Sequence, residues 1–175
     1  MVKTLLFPKH KKKGQMQIAD LIISLAIFLI LFSFLYFQLN KNLEKKEREL
    51  VVLKANNIAS SLLDDLVYSY GIPTNWAAAS LEPNNSLFKA IGCAQSFGEI
   101  DEYKLYRLNQ IFNNSYTKKK LQLGEFDADI FVSYLNNTPV IYIGNFSSKS
   151  EPLAVKKTFA LYNNSIVQVR VRVWD

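Results

Sequence analysis

The sequence predicts an α+β protein in which one long N-terminal helix packs on a C-terminal antiparallel β-sheet. Three observations carry this. No glycine or proline lies between Gln15 and Tyr70, so nothing interrupts a helix there. The C-terminal part is rich in Val, Ile, Phe and Tyr, and residues 167–174 alternate apolar and polar with the period of a half-buried strand. Between the two regions, Gly71, Pro73, Pro83, Asn84, Asn85 and Gly92 punctuate the chain as loop.

The helix is expected over residues 15–70, bracketed by Gly14 and Gly71 and followed by Pro73. It would span about 84 Å at about 1.5 Å per residue, far more than an ordinary globular helix. Residues 21–37 carry no charge and only two polar side chains, Ser24 and Ser33. Extended to 18–39, the apolar run reaches the roughly 20 residues that cross a hydrocarbon core, with Tyr36 and Phe37 at an interfacial position. Residues 43–49 mix charges and suit a solvated helix supported by i, i+4 pairs. Farther on, Leu50, Lys54, Ile58, Leu62, Leu66 and Tyr70 form one ridge, and Val51, Ala55, Ala59, Leu63 and Val67 the next. Together they make a stripe wide enough to face a core.

Beyond the loop, with Trp76 as a packing anchor, residues 101–112 show helical spacing through Tyr103, Leu105, Leu108, Ile111 and Phe112. Strands are expected over 126–135, 140–146, 155–162 and 166–174. Asn137-Thr138-Pro139 and Asn163-Asn164 suit tight turns, because asparagine tolerates positive φ. Short turns between four strands predict an antiparallel meander, covered by the stripe of the long helix.

The chain has 175 residues and a net charge of +6. Lys3, Lys9, Lys11, Lys12 and Lys13 supply +5 of it ahead of the apolar run, so the remainder carries 6 − 5 = +1. That distribution argues for a topology anchor and against nucleic-acid binding. Cys93 is the only cysteine, so no intrachain disulfide forms; between Gly92 and Ala94 it reads as a small buried hydrophobe. His10 is the only histidine, and neither a metal site nor a cofactor is expected. No catalytic motif is present, and the chain does not read as an enzyme. Asp64 and Asp65 are adjacent on a helix and do not face each other, which fits a solvated face. Asp127 and Asp129 alternate around Ala128 as on an exposed edge or face.

Lysine and arginine are nearly balanced across the apolar run, five before it and five in residues 41–54. The N-x-[ST] sequons at Asn84, Asn113, Asn136, Asn145 and Asn163 all follow it, and such sequons are acceptors only on the outer side. They place the C-terminal part outside the membrane.

A secretory signal would be cut after its apolar segment, at small residues. No such site follows Leu39; the processing point lies before the run, in Lys11-Lys12-Lys13-Gly14-Gln15. This junction resembles the class III signal peptide of archaeal type IV pilins. The resemblance implies that a prepilin peptidase recognises Lys11, Lys12 and Lys13 and cuts between Gly14 and Gln15. It also implies that the remaining helix packs against the helices of other pilin subunits. The family pattern has Gln first, a small polar residue third and Glu fifth. Here Gln15 is first, Gln17 third and Ala19 fifth, and the acid, Asp20, is sixth. By the resemblance, Asp20 is the assembly residue that pairs with a neighbour's N-terminal amine. Archaellins share the leader type, but their outer domains are larger and richer in Gly and Thr. The implied organisation is a cleaved leader 1–14, a transmembrane and assembly helix 15–40, an extracytoplasmic amphipathic helix 41–71 and a soluble α+β domain 72–175. The implied function is that of a minor pilin-like subunit of a surface filament or its assembly machinery. The alternative is a single-pass, membrane-anchored extracellular binding module that never polymerises.

Overall fold

The computed structural model describes residues 11–78, 82–144 and 151–175, with side chains from Ile18 onward. The chain forms two units, Met1–Glu49 and Leu50–Asp175. One element, α1 (Lys11–Val67), begins in the first and ends in the second.

α1 starts ahead of Gly14, which therefore lies inside the helix and does not bound it. In the first unit, side chains from Ile18 to Glu49 are exposed. Local pairs decorate this surface: Phe28 stacks on Phe32 one turn on, with ring centroids 6.0 Å apart, and Lys45 lies 3.9 Å from Glu49. The helix ends at Val67, three residues before the expected Tyr70. Its last carbonyls, which have no helical partner, are taken up by returning chain. The backbone N–H of Cys93 donates to Asp65 O at 3.2 Å, and that of Gly98 to Val67 O at 3.2 Å. Lys104 Nζ then donates to Tyr70 O at 3.1 Å and to Ala94 O at 2.9 Å, which ties this end to the next helix. Gly92 sits where a Cβ would meet Ser69 O at 2.3 Å, so only glycine lets the chain pass the end of α1 this closely.

The second unit is a six-stranded sheet with three helical segments. Its elements after α1 are β1 (Ala94–Ser96), β2 (Glu99–Ile100), α2 (Glu102–Ile111), α3 (Ser115–Lys120), β3 (Asp127–Tyr134), β4 (Pro139–Gly144), β5 (Ala154–Tyr162) and β6 (Ser165–Trp174). The strand order is β1-β2-β5-β6-β3-β4. The expected meander is thus corrected. β3–β4 and β5–β6 are hairpins, but they join through β6 against β3, not through β4 against β5. A meander requires a tight turn between β4 and β5. Residues 145–153 separate them instead, enough chain to carry β5 past two strands. β6 takes a central place because Val167, Val169, Val171 and Val173 are all fully buried. The sheet is also mixed: β2 pairs with β5 in parallel at Glu99 and Leu161.

The two expected turns are present. Asn163 and Asn164 have φ of 47° and 59°, the pair of positive angles a two-residue hairpin turn needs, and Asn137 has φ of 65° in the β3–β4 turn. Pro139 opens β4 at the sheet edge, where its missing N–H costs nothing.

The stripe of α1 that meets the core is narrower than expected. Ala55, Ala59, Leu62, Leu63, Leu66 and Val67 are buried and Val51 and Ile58 pack partly against them, while Leu50, Lys54 and Tyr70 are exposed. Trp76 is fully buried; its Nε1 donates to Gly92 O at 2.9 Å and its ring stacks on Phe88 at 5.1 Å. Cys93 is fully buried, and burial pushes its thiol well above the usual range.

Candidate functional site

Three places could carry function: the apolar length of α1, a groove along α2, and a buried charge cluster on the sheet. The first follows from composition. α1 contains the one helix segment, among the described residues, long and apolar enough to cross a membrane, and none of that stretch is buried. A core helix of a soluble domain can be as apolar, but it is covered by its own domain. Here Leu21, Ile22, Ile30 and Leu39 all leave more than half of their surface uncovered. Asp20 is exposed on the same helix, two residues after Ile18. Lys11, Lys12, Lys13, Gly14 and Gln15 lie on helical backbone in its first turns; residues 1–10, the rest of the expected leader, fall outside the described residues.

The groove is in the second unit. Asp101 caps α2, its Oδ1 accepting from Lys104 N at 3.0 Å. Tyr103 and Tyr106 then fall one turn apart on the same side of α2, and both are more than half exposed. Val140 and Ile141 of β4 and Tyr162 and Asn163 of the β5–β6 hairpin complete an open cavity of about 710 Å³. A smaller cavity of about 350 Å³ adjoins it past Asp101 and Tyr103, lined also by Asn75 and Lys104. Glu102 projects to the hairpin, where Asn163 Nδ2 donates to its Oε2 at 3.1 Å. The Tyr162 hydroxyl is pushed up to about 12, by burial first and then by its hydrogen bond to Glu102. None of these groove residues was singled out as a site from sequence except Asn163, as a sequon. The signal was available in the i, i+3 spacing of Tyr103 and Tyr106, two large aromatics beside inward Leu105 and Leu108.

The charge cluster corrects the expectation for Asp129. The residue is on β3 and fully buried. Arg172 Nε of β6 donates to its Oδ1 at 3.0 Å, Arg172 Nη2 donates to its Oδ2, and so does the Tyr142 hydroxyl of β4. Cross-strand register places Asp129 opposite Arg172, so neighbouring strands supply the partners. Tyr142 is pushed up to about 12 by burial and by its hydrogen bond to Asp129. Asp127 does remain exposed and pairs with Lys118 of α3. Asp65, expected on a solvated face, is only partly exposed; burial and then the neighbouring Asp64 raise it to about 6. With both oxygens of Asp129 hydrogen-bonded, this cluster fastens three strands.

Four of the sequon asparagines, Asn84, Asn113, Asn136 and Asn163, are exposed; Asn145 falls outside the described residues. Among the described residues no three His, Cys, Asp or Glu side chains gather as a metal site would require. No protein-family model, curated protein or solved structure matches this chain.

Proposed function

We propose that this chain is a minor pilin-like subunit of an archaeal type IV pilus-like surface filament or of its assembly machinery, without enzymatic activity. The observation that carries the reading is α1. One continuous helix runs from the basic Lys11-Lys12-Lys13-Gly14-Gln15 junction through an uncovered apolar surface and ends as the core helix of an α+β domain. An uncovered apolar surface of this length requires lipid or other apolar helices around it. A helix bundle of identical or related subunits satisfies it once the chain leaves the bilayer, with the domain turned to the exterior. The basic residues ahead of it suit a prepilin peptidase acting on the cytoplasmic face between Gly14 and Gln15. Asp20 then meets the new amine of a neighbour, whose ordinary pKa of about 7.7–8.0 leaves it mostly charged at neutral pH.

The test is the native N-terminus and the location of the protein. Intact mass of protein from cells with an active prepilin peptidase should lack residues 1–14, and the chain should appear in the sheared surface fraction. Full-length chain retained in the membrane would overturn the reading in favour of an anchored module.

A further inference from the structure

We propose that the groove along α2 binds a neutral oligosaccharide. Tyr103 and Tyr106 are 56% and 57% exposed and share one side of α2. An aromatic ring in water at the rim of a cavity is a flat apolar platform with a polar edge. A pyranose ring offers the complement: an apolar C–H face and a rim of hydroxyls that both donate and accept. The same groove supplies partners for that rim. Glu102 is held in place by Asn163 Nδ2 and by the Tyr162 hydroxyl. A carboxylate has about four acceptor sites, so two remain for sugar hydroxyls. Gln95 adds an amide donor and acceptor at the end of the groove.

Charge and size separate this ligand from others. The groove is lined by Asp101 and Glu102 and, among the described residues, by no lysine or arginine. Lys104, in the adjoining cavity, already donates hydrogen bonds to two backbone carbonyls. Phosphates and acidic sugars are therefore repelled. A compact cation would satisfy the carboxylates but leave both tyrosine faces, and most of about 710 Å³, unfilled. The proposal does not rest on filament assembly, since a subunit and an anchored module carry the same groove.

The full chain, made in a host without N-glycosylation and kept in a sugar-free detergent, is titrated with mannohexaose, maltohexaose and cellohexaose, and with hexagalacturonate as the anionic control. Binding is read by saturation-transfer NMR. Saturable binding of at least one neutral hexasaccharide, and none of hexagalacturonate, is expected. Tyr103→Ala and Tyr106→Ala should each weaken it by about tenfold, and Glu102→Gln should weaken it while leaving the melting temperature at the wild-type value. Tyr116→Ala, 53% exposed on α3 and away from the groove, should bind like the wild type. Absence of binding to all three neutral sugars, preference for hexagalacturonate, or unchanged affinity in both groove tyrosine variants overturns the proposal.

Discussion

Leu62 on α1 has no exposed surface and sits among Ala59, Leu66 and the sheet core. Truncation to alanine should cost about 2–5 kcal/mol, the transfer and cavity contributions of a buried leucine together. Urea denaturation of the full chain in detergent measures it. A loss below about 0.5 kcal/mol would mean that the site collapses or is uncovered. Asp129→Ala should cost about 3 kcal/mol, near the lower end for breaking a buried pair. Its partner Arg172 keeps 21% of its side chain in solvent and can be partly rehydrated. Asp65 makes a pH-dependent contribution of known sign. Its folded pKa, about 6, lies above the model-peptide 3.8, so the native state holds its proton more tightly. That contribution is complete below pH 3.8 and is lost as pH rises through about 6. Asp65→Asn should therefore stabilise the protein at neutral pH and flatten its stability between these values; an unchanged profile would show that Asp65 is well hydrated. Legibility differed between these residues for a physical reason. The stripe containing Leu62 is periodic and local, whereas Asp129 acquires its partner from a strand more than forty residues on in sequence.

The element most open to test is α1. An acid in an apolar helix costs about 2.5–3.5 kcal/mol at mid-membrane and less near an end. On the proposed pilin-like reading, Asp20→Ala should thus leave membrane insertion and cleavage before Gln15 intact. If Asp20 pairs with a neighbour's amine, the variant should vanish from the sheared filament fraction, because the amine would enter an apolar bundle unpaired. Asp20→Asn, which keeps size and loses charge, should fail in the same way. Normal amounts of both variants in the sheared fraction would make Asp20 an interfacial residue only. The far end of α1 depends on close approach instead. Gly92→Ala puts a methyl within 2.3 Å of Ser69 O and 2.4 Å of Gly71 N, and should destabilise by about 1–3 kcal/mol in the same urea assay. A neutral outcome would mean that the loop can slide off the helix end.

Orientation of the whole molecule is the remaining test. Asn84, Asn113, Asn136 and Asn163 are exposed, and a domain turned to the outside would offer them as N-glycosylation acceptors. Glycopeptide mass spectrometry of native protein should find hexose-bearing peptides at one or more of them. Protease added to intact cells should digest the domain and leave α1 protected over its apolar run. Resistance of the whole chain would reverse the topology. The acceptor at Asn163 bears on the groove as well: its Nδ2 is the atom that holds Glu102, so a glycan there would redirect that contact.

The long helix, α2 and the strands β3 to β6 were legible in sequence, because each signal is local: no helix breaker from Gln15 to Tyr70, period-two valines at the C-terminus, asparagine pairs at the turns. So were the buried Trp76 and Cys93, whose size and apolarity leave few alternatives. The short β1 and β2, in a stretch that reads as loop, and the short α3 carry too few residues to show a period and were missed. The tertiary structure decided what depends on distant partners. It placed β6 against β3 in place of a meander, buried Asp129 with Arg172, narrowed the stripe of α1 and set Tyr103 and Tyr106 opposite Asn163. Strand order and site geometry are sums over contacts between residues far apart in the chain, and no window of neighbouring residues contains them.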